Sequence, residues 1–197
     1  MKHIINVPSP LIRAARLFQA DNDPRFCLRG IHLSKAGYIE STNGHSAFRA
    51  PCEACKELDE SIIIRVQGSG VGKKNEEARI HLDDSGLGWI TFGESGKPDR
   101  TDSHGITARV NIHKVTAIKF VDLERIFETM RKKPAPVESI GISAEYIELA
   151  GKAAKALGAT LPQLIFTFSG AQDVIFARSA WSEIKYPHEI AIMPVQF

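Results

Sequence analysis

The chain has 197 residues, of which 43% are hydrophobic and 24% charged, and its formal net charge at neutral pH is +2. Such a chain suits one domain of ordinary to large size, or one and a half small ones, with a core that needs no staple. The balance is that of an ordinary soluble protein. It excludes the ~20-residue apolar run of a membrane span and the bulk basic excess of a dedicated nucleic-acid binder.

Met1–Val7 reads as a strand ended by Pro8, and its polar start lacks the apolar stretch of a signal peptide, so the cytoplasm is the expected compartment. Ser9-Pro10 then predicts a helix over Pro10–Gln19, with a hydroxyl cap, a proline in the first turn and an apolar face of Leu11, Ile12, Ala15 and Phe18. Asp21–Pro24 is a turn. Phe26, Leu28, Ile31 and Leu33 read as one strand interrupted by Gly30. Gly37 turns the chain into a strand over Tyr38–Ser41, and Gly44 turns it again into Ser46–Ala50.

Further strands are expected over Ser61–Val66, over Ala78–Phe92 with a break at Ser85–Gly88, and over Ile106–Ile118. Gly68–Asn75 and Gly93–Gly105 read as polar loops. Phe120–Lys132 suits a helix, closed by Arg131-Lys132-Lys133 and the Pro134-Ala135-Pro136 boundary. Beyond it the opening pattern recurs. A strand over Val137–Ile142 is followed by a helix from a Ser143 cap to Gly158, then strands at Leu164–Phe168, Val174–Ala177 and Glu189–Phe197. A strand–helix–three-strand unit therefore occurs twice without obvious identity between its copies, and such a repeat governs the fold.

Chemistry is sparse by comparison. Gln67–Lys74 imitates a phosphate loop, but Gln67 stands at the first required glycine and Lys74 at the magnesium-binding hydroxyl, so a hairpin loop is the better reading. Cys52-Glu53-Ala54-Cys55 has the spacing of half a zinc site, yet a structural zinc needs four ligands. Cys27 is the one remaining thiol, and reduced cysteines are expected. The seven histidines are scattered, with His45 read as a turn residue satisfied by backbone, and no paired carboxylates mark a catalytic cleft. The residues thus imply no enzyme, no cofactor and no metal site. Arg13 and Arg16 lie to one side of the first helix and Lys152 and Lys155 to one side of the second, where Glu145 and Glu148 share their stripe. A solvated surface and a DNA-facing surface both fit that pattern.

Several segments resemble one family. Thr42-Asn43-Gly44-His45-Ser46-Ala47 is similar to the Thr-Asp-Gly-His-Arg-Leu-Ala segment of the bacterial sliding clamp, the β subunit of DNA polymerase III. The last strand, with its Met193-Pro194-Val195, resembles that family's Val-Met-Pro-Met-Arg-Leu ending. Arg29–Leu33, Phe120–Ile126 and Gly141–Ile147 look like further clamp segments in the same order. The departures are Ser46 in place of Arg, Val121 in place of Pro, a missing second helix after the Gly-His segment, and a β-rich insertion over Ser61–Thr116. The chain is also too short for the family's three domains.

The resemblance implies an α+β, DNA-clamp-like fold: two strand–helix–three-strand units with antiparallel sheets and a β-rich insertion. It resembles a reduced clamp, one domain or pieces of two adjacent ones. As a single domain, 1–60 is the first unit, 61–133 the insertion and a helix, and 134–197 the second unit. It further implies a non-enzymatic accessory protein of DNA replication or repair, of a kind suited to a phage or mobile element. The implied partners are duplex DNA, polymerases or other clamp-binding proteins, and further copies of the chain. A clamp-fold interaction module without DNA binding is the alternative. Carried over by position, the partner-peptide site falls on Thr42, Gly44, His45, Arg125, Ile126, Tyr146, Met193, Pro194 and Val195, and the DNA-facing residues are Arg13, Arg16, Lys152 and Lys155.

Overall fold

The structure, a computed structural model, describes residues 2–67, 76–94, 106–115, 119–129, 134–180 and 185–195. The loop at 68–75, the predicted strand end at 116–118 and the basic run at 131–133 lie outside them. Among the described residues the chain runs β1 (Lys2–Pro8), α1 (Ser9–Leu17), β2 (Ile31–Ser34), β3 (Tyr38–Thr42), β4 (Ser46–Pro51), β5 (Ile62–Val66), β6 (Glu76–Leu82), β7 (Leu87–Glu94), β8 (Ile106–Val115), α2 (Leu123–Glu128), α3 (Ala144–Ala156), β9 (Leu164–Thr167), β10 (Ile175–Ser179) and β11 (Glu189–Ile192). No described helix is long and apolar enough to cross a membrane.

All the strands pair antiparallel in one sheet, in the order β1-β6-β7-β8-β5-β2-β3-β4-β11-β10-β9. The stretch β2-β3-β4-β11-β10-β9 reads the same from either end once the two units are exchanged. Each unit's meander thus meets the other across β4 and β11, where Phe48 faces Ile190 and Ala47 faces Ala191. Helices α1 and α3 pack against each other above that junction. The strands β5–β8, read from the sequence as an insertion, bridge β1 to β2. Because α1 touches β1 and β6 as well as β2, β3 and β4, the sheet curls around it.

Successive side chains of a strand point to opposite faces, and here both faces are covered. Ile31, Leu33, Ile39, Phe48, Ala50, Ile175, Ala177, Ile190 and Ile192 meet Leu11, Ile12, Ala15, Ala153 and Leu157 of the helix layer. Ile63, Ala47, Phe176 and Ala191 point the other way and pack with Phe120, Leu123 and Phe127 around α2. Burial on both faces is why Ile62-Ile63-Ile64 shows no polar alternation. Burying a side chain such as Leu11 or Ile12 contributes about 1.5–3 kcal/mol, and both are fully enclosed. A buried hydrogen bond from Ser41 Oγ to the Ala15 carbonyl ties β3 to the last turn of α1.

The element boundaries correct the sequence reading in several places. Ser9 begins α1 instead of capping it, and its buried hydroxyl has no partner among the described residues. Phe26–Arg29 forms a 3-10 turn, not strand, because the Asp23 carboxylate accepts the Arg25 backbone N–H at 2.8 Å and turns the chain. Helix α2 starts not at Phe120 but at Leu123, where the Asp122 carboxylate accepts from the Arg125 N–H, and the predicted end at 130–132 lies outside the described residues. The predicted strand at Val137–Ile142 reduces to one bridge, Gly141 to Val195. Strand β11 stops at Ile192, ahead of Pro194.

Candidate functional site

The β3–β4 hairpin is built by its own polar side chains. Thr42 Oγ1 donates to the Ser46 carbonyl at 2.8 Å and accepts from the Gly44 N–H at 3.0 Å. Asn43 Oδ1 accepts from the N–H groups of His45 and Ser46 at 3.0 and 2.8 Å. Gly44 has φ of +90°, a conformation that a side chain would strain. The second unit then closes on this turn: the Met193 N–H donates to the His45 carbonyl at 2.8 Å, and the Val195 N–H to the Gly141 carbonyl at 2.9 Å. The backbone of His45 takes part, while its exposed ring stacks on Tyr146 with centroids 6.2 Å apart.

These contacts bring the Gly-His turn, α2 and the residues after β11 together around a shallow depression of about 40 Å³. Of the residues singled out in the sequence, Thr42, Gly44, His45, Ile126 and Met193 line it. Arg125, Pro194 and Val195 do not line it, although they adjoin residues that do or, in the case of Val195, pair beside it. Tyr146 reaches the same turn from α3 by its stack on His45. Met193 and Val195 are each 46% exposed. Ser46, Ala47, Val174 and Ala191 complete the lining. Val174 and Ala191 escape sequence reasoning because the order of the strands, not their spacing along the chain, puts them beside β4.

On the same face of the sheet, two residues along β4 from Ala47, lies a charged cluster that the sequence reading also missed. His32, Glu40 and Arg49 face one another across β2, β3 and β4. His32 Nδ1 is 2.8 Å from Glu40 Oε2, and Arg49 Nε is 3.1 Å from Glu40 Oε1. The Arg49 guanidinium lies 3.9 Å from the Tyr38 ring centroid and also pairs with Glu124 of α2. Phe120 stacks on His32 at 4.5 Å. A polar cleft of about 910 Å³ opens here, with Phe120–Glu124 along one wall and Ser61–Ile63 with Lys114 along another. Three charged side chains at alternate positions of otherwise apolar strands were the available signal.

The opposite face carries the helices. On α1, Arg13 and Arg16 are half-buried, and burial of Arg16 pulls its pKa down against the opposing pull of Asp21. On α3, Lys152 and Lys155 are exposed, and Lys152 pairs with Glu148 at 2.7 Å. Elsewhere, Cys52 and Cys55 are buried thiols. The hydrogen bond between them draws the Cys52 pKa down and pushes that of Cys55 up. Among the described residues no group of three or more His, Cys, Asp or Glu side chains is placed to hold a metal ion.

Set beside solved structures, the whole architecture is matched. The DNA polymerase sliding clamp of Bacillus subtilis superposes with a TM-score of 0.58 over 99% of this chain and 64% of its own, at 13% identity. The fold is that of the bacterial sliding clamp. The DNA polymerase III subunit beta of Borrelia burgdorferi, in complex with a natural product, gives 0.58 over 100% of this chain and 64% of its own, at 12% identity. The Pseudomonas aeruginosa sliding clamp bound to griselimycin gives 0.53 over 98% and 65%, at 13% identity. This chain therefore spans about two thirds of the length of the clamps it matches. No protein-family model and no curated protein matches its sequence. In the clamp fold seen here, the paired helices form one face, and α2 with the Gly-His turn forms the other.

Proposed function

We propose that this chain is a clamp-like, non-enzymatic accessory factor of DNA replication or repair. It meets duplex DNA with the α1–α3 face and partner peptides with the depression beside α2. The observation that carries this reading is the pseudo-twofold arrangement, which sets both helices, with Arg13, Arg16, Lys152 and Lys155, on one side of the sheet. Exposed Met193 and half-buried Ile126 beside a turn with satisfied backbone support the second surface, since methionine and aliphatic side chains adapt to an apolar anchor. The partner is a linear peptide with a leucine or aromatic anchor.

One observation favours a second reading, an interaction module that has no contact with DNA. The Lys152–Glu148 pair and the neighbouring Glu145 leave the helix face weakly basic. Anisotropy of a labelled duplex separates the two readings, because binding through phosphates weakens steeply as salt rises. Duplex binding at low salt that disappears at raised salt upholds the first reading. Absence of binding at low salt removes it and leaves the module.

A further inference from the structure

The depression is shallow, about 40 Å³, against about 150 Å³ for a cavity that encloses one benzene. Seating an anchor more deeply requires a wall to yield, and the walls differ in how they are held. The Gly-His turn and Ala191 belong to paired strands, with Ala47 opposite Ala191. Helix α2 has no strand partner, and among the described residues its backbone makes no hydrogen bond to the sheet. Side chains alone attach it: Leu123, Ile126, Phe127 packed on Phe176 and with its own ring centroid 5.4 Å from the Arg49 guanidinium, and Glu124 paired with Arg49.

We propose that α2 is a gate over the depression, that the Arg49–Glu124 pair is its latch, and that an apolar peptide anchor enters when α2 moves towards the adjoining polar cleft. This rests on the reading of the depression as a peptide site. The cleft, about 910 Å³, borders α2 at Glu124, while Ile126 on the same helix borders the depression. Arg49 and Ala47 lie two residues apart on one side of β4, roughly 7 Å, so latch and depression are neighbours.

The pair is unequal in the way a latch requires. The Arg49 side chain is 7% exposed and has Glu40 and the Tyr38 ring beside it from β3, whereas that of Glu124 is 50% exposed. Releasing Glu124 hydrates one carboxylate while Glu40, 3.1 Å from Arg49 Nε, stays beside the buried guanidinium and so reduces the cost of breaking an interior ion pair.

Glu124→Gln keeps the side chain's size and removes its charge. In the variant, hydrogen exchange at the Leu123–Glu128 amides is expected to quicken several-fold while the melting temperature changes little. A fluorescein-labelled decapeptide with a Leu-Phe pair is expected to bind about 3–10-fold more tightly, with faster association, because apparent affinity scales with the population already open. A wall residue of purely structural value would instead weaken binding on substitution. Unchanged exchange in α2, or affinity equal to or below that of the parent chain, overturns the gate. Binding that Met193→Ala abolishes and Glu124→Gln leaves unmoved retains the peptide site and removes the gate. Failure of both the parent chain and Glu124→Gln to bind removes both.

Discussion

Met193 is where the two units touch and where an apolar side chain is left in solvent. Truncating it to Ala is expected to cost about 1 kcal/mol or more of peptide affinity, as at a hot spot. A core residue would instead lose about 2–5 kcal/mol of stability. Thermal melting and peptide titration on the same variant distinguish these outcomes, and a large fall in melting temperature with unchanged affinity contradicts the assignment. His188 gives a pH dependence. Burial lowers its pKa, with Ser179 Oγ and the Tyr186 carbonyl each 3.3 Å from its ring nitrogens. The folded state thus holds the neutral ring, while the unfolded chain takes up a proton near pH ~6.5. Stability is full above that pH and falls as pH drops below it. Melts at pH 7.5 and 5.5 are expected to show a fall that is smaller in His188→Gln. The Thr42–Ser46 turn was legible in the sequence because its bonds are local. The Arg49 cluster was not, because its partners come from other elements, Tyr38 and Glu40 from β3, His32 from β2 and Glu124 from α2.

At the scale of elements, periodicity made the helices and most strands readable, and local chemistry moved their ends. The Leu11, Ile12, Ala15 and Phe18 stripe marked α1, and the core holds all four. The 3-10 turn at Phe26–Arg29 was misread because an apolar alternation says nothing about an Asp23 carboxylate bent back on the backbone. Strand β4 serves both layers at once. Phe48 is fully buried and stacked on Phe18 with ring centroids 5.6 Å apart, while Ala47 and Arg49 face α2. Phe48→Ala is accordingly expected to destabilise the fold by about 3–5 kcal/mol, read by denaturant unfolding. A loss below about 1 kcal/mol would contradict the packing described.

For the whole molecule, the repeat seen in sequence becomes a pseudo-twofold sheet, while the curl that joins β1 to β2 through β5–β8 has no signature along the chain. Under the proposed function, a chain that spans about two thirds of a clamp would enclose a duplex by joining further copies, and such assemblies close by symmetry. Light scattering on a ring-forming chain is expected to give a multiple of 21.7 kDa. A strict monomer at micromolar concentration excludes a self-assembled ring. In the proposed function the two faces do separate work. Its most direct test is one anisotropy experiment, with labelled duplex and labelled Leu-Phe peptide titrated in parallel. The proteins are the parent chain, Met193→Ala and the combined Arg13→Ala, Arg16→Ala, Lys152→Ala, Lys155→Ala variant. The fourfold variant is expected to lose duplex binding and keep the peptide, and Met193→Ala to do the reverse. Loss of both ligands in either variant with its melting temperature intact, or duplex binding indifferent to the four substitutions, would contradict that separation.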